Sequence, residues 1–164
     1  MAGSSLVVLE EDHTRFIALL DRLREESNAK FAFLLDRAGQ QIAAAGALEA
    51  SDPTALASLT AGNVAATEGL AQIIGENKFS TLYHEGENDS LHISLVSNKV
   101  ILLVIFDEHS SLGLVRLRVK QITQDLGRVL DELMTRSDSQ VSGSAVSSNL
   151  FEEISDEDID ALFG

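Results

Sequence analysis

The sequence predicts an α/β (α+β) domain in which a five-stranded, mainly antiparallel sheet carries helices on both faces. Three observations predict it. Two runs, FAFLL and VILLVIF, are apolar without interruption and of strand length, the pattern of central strands covered on both sides. Three longer segments carry apolar residues, in two of them recurring at steps of three and four, as amphipathic helices do. Short turn-forming stretches join the strands except where one helix intervenes, and short connections make neighbouring strands antiparallel. The order is helix, two strands, helix, three strands, helix, or αββαβββα.

Glu10 to Ser27 reads as the first helix, with Phe16, Leu19, Leu20 and Leu23 on one side and charges on the other, and Asn28 stops it. Lys30 to Asp36 is a strand, Arg37-Ala38-Gly39 a tight turn, and Gln41 to Ala45 the returning strand. Gly46 to Asp52 is a loop, after which Pro53 suits the first turn of a helix from Thr54 to Ile74. That helix has large apolar residues at Leu56, Leu59, Leu70, Ile73 and Ile74, separated by the small-residue stretch AGNVAATEG. Small residues permit close backbone approach, either to the domain's own sheet or to a second copy or partner. Ser80 to Glu85 is a strand and Gly86 to Asp89 a turn. Leu91, Ile93 and Leu95 then alternate with His92 and Ser94, giving a strand with one wetter face. Ser97-Asn98 turns the chain into the apolar strand Lys99 to Phe106. Ser111 to Thr135 is the third helix, striped by Leu112, Val115, Val119, Ile122, Leu126, Val129 and Leu133.

The predicted organisation is a domain over 1–136, a serine-rich flexible linker over 137–150, and an acidic amphipathic helix over 151–164. The net charge is −14 and the pI about 4.5, which argues against nucleic acid or an anionic membrane as a partner. There is no cysteine, so neither a disulfide framework nor a thiolate metal site is expected. The longest apolar run, Val100 to Phe106, is too short to span a bilayer, and no basic-then-apolar leader is present. A cytoplasmic protein is expected.

Catalytic chemistry is not legible. No glycine-rich phosphate loop ends in Gly-Lys-Ser/Thr, so the chain is not itself a P-loop nucleotide hydrolase. His84 and His92 flank a turn, but no set of His, Asp and Glu has metal-ligand spacing, and solvated or packed histidines are the simpler expectation. Ser90 or Ser110 beside a histidine and an aspartate does not make a triad, because triad members meet through the fold and not through sequence adjacency. No catalytic residue, cofactor or metal is expected. Arg116 and Lys120, four apart on the third helix, together with Arg15 and Arg128, form either a solvated face or a cationic patch on an acidic protein. Such a patch would attract an acidic partner or the chain's own acidic tail.

The terminal stretch EISDEDIDALFG carries every local signal of a short helix. Ser155 suits an N-cap, Ile154 and Ile159 occupy staple positions, and Asp156, Glu157 and Asp158 load the first turn with negative charge. Ile159, Leu162 and Phe163 share one face. Two turns are too few to persist alone in water, so this segment is expected to fold in a partner's groove, in preference to fraying or docking on its own body.

Several long stretches in the same order carry a family resemblance: SLTAGNVAATEGLAQIIGEN, YHEG at Tyr83 to Gly86, VIFDEHSSLGLVRLRVK and EISDEDIDALF. They resemble the roadblock family, named for a dynein light chain, and its bacterial motility branch. The resemblance implies a homodimer that stimulates GTP hydrolysis by a small Ras-like GTPase, two activator chains receiving one GTPase. It implies a dimer contact through the second helix, at Gly62 and Asn63, and the neighbouring edge strand. It implies GTPase contacts at Thr60, Ala61, Ala65, Ala66 and Gly69, with the catalytic groups supplied by the GTPase and no arginine finger from the activator. It further implies that the tail grips the same GTPase at a second site, with an influence on nucleotide exchange, and that the protein acts in polarity and motility at a cell pole. Two rivals remain: a scaffold that binds without changing hydrolysis, and a receiver-domain or polarity-protein partner, because ISDEDIDALFG also resembles a flagellar switch peptide.

Overall fold

The structure is a computed structural model describing residues 7–48 and 52–163, with side-chain environments described up to 138. Its elements are α1 (Glu10–Ser27), β1 (Phe31–Asp36), β2 (Gln41–Gly46), α2 (Pro53–Ile74), β3 (Thr81–Glu85), β4 (Ser90–Val96), β5 (Val100–Phe106) and α3 (Leu112–Phe163). The strands form one sheet in the order β2-β1-β5-β4-β3, antiparallel throughout. The expected αββαβββα order and five-stranded sheet are therefore present. β5 lies at the centre and β1 beside it, where the two uninterrupted apolar runs belong.

The sheet separates two packed layers because strand side chains alternate. Phe31, Phe33 and Leu35 lie opposite Ile105, Leu103 and Ile101, and this face packs with Ala57, Ala61 and Val64 of α2. The alternate residues Ala32, Leu34, Leu102 and Val104 are equally buried on the other face, where α1 packs against β1 and β2 through Phe16, Leu20 and Leu23. α3 runs beside α1: Arg22 meets Asp125 at 2.6 Å, and Arg118 meets Glu26 at 3.8 Å. These contacts make the two helices antiparallel.

Local chemistry sets the ends of the elements. Asn28 takes a left-handed conformation and ends α1, a conformation asparagine tolerates better than most residues. Asp52 accepts from the Thr54 amide at 3.0 Å and Pro53 occupies the first turn of α2, where its missing N–H costs nothing. Gly75, at φ 77°, ends α2, with the Glu76 amide donating to Ala71 at 2.8 Å. Ser97 and Asn98 both have positive φ, the two-residue turn whose twist matches a tight hairpin.

The chain divides into two units, one of Val8–Leu130 and the other of Met1–Val7 with Asp131–Gly164. The first holds the whole sheet. In the second, the backbone is helical through 137–150, where composition predicts a linker, and on to Phe163. Two features allow this continuation. The stretch has no proline, and serine costs only about 0.5 kcal/mol per residue in a helix that is already nucleated. The side-chain roles expected of Ile154, Ile159, Leu162 and Phe163 lie outside the described residues.

Candidate functional site: the outer face of α2 and the edge strand β3

α2 is amphipathic in an inverted sense. Its inner stripe is small: Ala57, Thr60, Ala61, Val64 and Ala71 are buried. Leu56 packs on the core, but four of its large side chains point outward, with Leu59 74%, Leu70 58%, Ile73 82% and Ile74 67% exposed. The sheet explains the inner stripe. It already presents the bulky Phe31, Phe33, Leu35 and Ile93, so a helix crossing it has room only for small residues. Nothing among the described residues explains the outer stripe.

Along the outer face, Leu59, Gly62, Ala66, Gly69 and Ile73 recur at steps of three and four. Large apolar groups at each end flank a low, small-residue middle. A Cβ added at Gly62 or Gly69 would meet nothing within 4 Å. Alanine at either position would favour the helix by about 1 kcal/mol, so the protein's own packing does not account for these glycines. An apolar face of this extent is the kind that a partner covers.

β3 adjoins this face as the outermost strand of the sheet. Asn63 Nδ2 approaches His84 Nε2 at 3.4 Å, linking the flank of α2 to the strand. Phe79 and Tyr83 are partly exposed, and the Tyr83 ring stacks on Phe106 with centroids 6.2 Å apart. Between helix and strand runs a shallow cleft lined by Val64, Thr67, Glu68, Phe79 and Leu82. Among the described residues no strand pairs with the outer edge of β3, which is a ready template for another strand.

The expected site residues are distributed as follows. Ala65, Ala66 and Gly69 are exposed on α2, as is Gly62, and Asn63 sits half-buried toward β3. Thr60 and Ala61 face the chain's own sheet, and the Thr60 hydroxyl donates to the Leu56 carbonyl at 2.7 Å. They support the helix from within, which narrows the outward set to Ala65, Ala66 and Gly69. The basic residues are not drawn into one cluster. Arg116 and Lys120 are exposed one turn apart on α3, but Arg128 lies about 18 Å further along that helix and approaches Asp125 at 3.5 Å. Arg15 sits about 16 Å along α1 from Glu26, the residue that meets Arg118.

The histidines divide between environments. In the β3–β4 register Tyr83 lies opposite His92 and His84 opposite Leu91, so the two histidines point to opposite faces of the sheet. His92 is buried at 2% exposure, and burial, reinforced by the Arg116 charge, pushes its pKa down to about 4. The 2.9 Å contact with Asp107 raises the His109 pKa above its usual value, and the hydrogen bonds from His109 in turn hold the Asp107 carboxyl below its usual range. His109 is an exposed turn residue and Asp107, just after β5, is half-buried. Ser110, the nucleophile candidate beside them, donates instead to the Ser27 carbonyl. Among the described residues no group of three or more His, Cys, Asp or Glu is placed to hold a metal ion. Among the same residues, no helix is long and apolar enough to cross a membrane.

Sequence reasoning singled out the small residues of α2 but missed the outward display of Leu59, Leu70, Ile73 and Ile74. The signal was available: Ala57, Thr60, Ala61, Val64 and Ala71 are themselves spaced as a helix face, which leaves the large residues on the other side. It also missed Arg37, whose role depends on contacts between turns distant in sequence.

Comparison with known proteins agrees with this fold. The Roadblock/LC7 domain profile matches residues 16–106. A solved structure of MglB from Myxococcus xanthus is 51% identical, with a TM-score of 0.73 and a match covering 78% of this chain and 96% of that one. An MglB with a tetrameric arrangement is 32% identical, with a TM-score of 0.75 over 80% of this chain and 99% of that one. The gliding protein MglB from Thermus thermophilus is 34% identical, with a TM-score of 0.72 over 80% of this chain and 99% of that one. No curated protein sequence matches significantly. With the αββαβββα order, the antiparallel five-stranded sheet and these identities together, the chain belongs to the Roadblock/LC7 family and, within it, resembles the MglB proteins.

Proposed function

We propose that this protein is a homodimeric activator of a small Ras-like GTPase of the MglA type, and a regulator without an active site of its own. The observation that carries the reading is the outer face of α2. Its exposed Leu59, Leu70, Ile73 and Ile74 surround a glycine and alanine stripe that no described residue of the chain covers. Gly62 and Asn63, with the β3 edge, serve the contact between two copies. Ala65, Ala66 and Gly69 of the paired helices receive one GTPase.

GTP hydrolysis needs a positioned water and compensation of charge on the transferring phosphoryl group. A face of small and apolar residues supplies neither directly. It acts by holding the GTPase switch segments in the conformation that places the GTPase's own arginine and glutamine, a population shift driven by differential affinity. The C-terminal segment, through Ile154, Ile159, Leu162 and Phe163, is the second contact on the same GTPase. It raises affinity through effective concentration and biases nucleotide exchange. The exposed Arg116 and Lys120 are a meeting point for an acidic polarity partner, and the protein works in the cytoplasm at a cell pole.

Single-turnover GTP hydrolysis by the cognate GTPase, with and without this protein, tests the activity. Sedimentation at micromolar concentration tests the dimer. Binding without acceleration would favour the second reading, a roadblock-type scaffold, and a monomer would remove the two-to-one arrangement.

A further inference from the structure

Glu68 is the sole charged side chain of α2. It does not lie on the outer face. It continues the inner stripe of Ala57, Ala61 and Val64, where a carboxylate would ordinarily meet apolar strand residues. A single guanidinium meets it there. Arg37, in the β1–β2 turn, donates through Nη2 to Glu68 Oε1. Its Nη1 reaches the Asn98 backbone carbonyl at 3.2 Å and Asn98 Oδ1 at 3.0 Å. Arg37 thus ties three separate elements together: the β1–β2 turn, the β4–β5 turn and α2. Planar, multiply donating geometry of this kind suits arginine and not lysine.

Both turns are rigid enough to serve as anchors. In the β1–β2 turn, Asp36 Oδ1 accepts from the Ala38 and Gln40 amides at 3.0 and 2.9 Å. Gly39 lies so close to α2 that a Cβ there would come within 3.2 Å of Ser58 Cα. In the β4–β5 turn, Ser97 and Asn98 both have positive φ, and the Lys99 amide closes the turn by donating to the Val96 carbonyl at 3.0 Å. The first half of α2 is secured by Ala57, Thr60, Ala61 and Val64, but beyond Val64 only Ala71 is buried. The second half holds Ala65, Ala66, Gly69, Leu70 and Ile73. Gly69 occupies an interior position there, where glycine weakens a helix.

We infer that Arg37 is a positioning residue: through Glu68 it fixes the second half of α2 and so pre-organises the partner-facing surface without touching the partner. The inference rests on the reading of that surface as the GTPase contact, but the clamp itself can be measured without a GTPase. Pre-organisation appears in affinity more than in the rate at saturation, because a loosened face must be ordered before it binds.

The test is Arg37→Gln in the full-length chain, with Arg37→Lys as the conservative companion that keeps the charge but cannot span Glu68 and Asn98 together. Amide hydrogen exchange over residues 65–74 is measured first. Exchange is expected to quicken about threefold to fivefold in Arg37→Gln, the scale of an ion pair of this exposure, with the core strands β1 and β5 unchanged. In GTPase titrations the half-saturating concentration is expected to rise by a similar factor while the saturated hydrolysis rate holds. Arg37→Lys should fall between the two. Unchanged exchange over 65–74 in both variants overturns the clamp. Faster exchange with unchanged GTPase titration upholds the clamp and overturns instead the assignment of the outer α2 face to the GTPase.

Discussion

Replacing His92 with leucine is expected to remove an acid sensitivity built into the sheet. His92 sits on β4 at 2% exposure, opposite Val104 on one side and Tyr83 on the other, and its Nδ1 has no hydrogen-bond partner among the described residues. The Arg116 charge acts on it from α3. Burial and this charge both disfavour a second proton, so the folded pKa falls from 6.5 to about 4. The unfolded chain therefore binds the proton first as pH drops. Stability is complete above the unfolded value of 6.5, declines between 6.5 and about 4, and is level below that. With about 1.4 kcal/mol per pKa unit, the whole interval represents about 3 kcal/mol. Between about pH 7 and about pH 5.5 the loss is about 1.2 kcal/mol by the same linkage. Carboxylates that titrate in both proteins cancel when wild type is subtracted from His92→Leu. Urea unfolding at fixed protein concentration, at several pH values above the pI of about 4.5, gives the difference. The wild type is expected to lose about 1.2 kcal/mol relative to the variant by about pH 5.5. A difference that stays constant over that range would refute the claim that His92 is buried in its neutral form.

Ala65→Arg combined with Gly69→Arg is expected to abolish stimulation of GTP hydrolysis while circular dichroism shows an intact fold, since both positions face outward and Gly69 has open space around it. Full stimulation by the double variant would remove α2 from the contact. Alanine at Arg15, Arg116, Arg118 or Arg128 is each expected to leave the saturated hydrolysis rate within about tenfold, far short of the ~10³–10⁵ that an arginine finger contributes. One variant with intact binding and lost catalysis would overturn the indirect mechanism. Removing residues 152–164 is expected to weaken GTPase binding with the dimer preserved, read by titration and sedimentation. Unchanged affinity and exchange rate would direct attention to a receiver-domain partner.

The sheet was legible because its signals are local. FAFLL and VILLVIF could only be central strands, and the glycine and asparagine turns punctuate the chain where the structure turns. Strand limits differ from the sequence expectation by a residue, as at Phe31 in place of Lys30, although the Lys30 amide already donates to the Ile105 carbonyl. The site was less legible because its logic is tertiary. Which side of α2 faces the sheet depends on the size of the strand residues it crosses, and the small-inside, large-outside arrangement contradicts the usual amphipathic expectation. Arg37 could not be found from spacing at all: its partners Glu68 and Asn98 are brought to it only by the closed sheet. The backbone over 137–150 is helical although the segment is rich in serine. Serine biases a chain away from helix only weakly, and a helix already formed upstream extends at little cost.

The strand order also dictates how the chain is assembled during synthesis. β1 and β2 are neighbours in one hairpin and β3, β4 and β5 in one meander, and the sheet closes only once β5, at the edge of the meander, pairs with β1. Phe31 then lies opposite Ile105 and Asp36 opposite Val100, a pairing that closes a loop containing all of α2. Such long-range closure is slow relative to the hairpins on either side. The segment VILLVIF is meanwhile the most association-prone stretch of the chain, apolar on both faces and uncharged. Its position in the chain limits the danger. When β5 leaves the ribosome, both of its partners, β1 and β4, have already been made, so the sticky strand meets its own flanks before it meets another molecule.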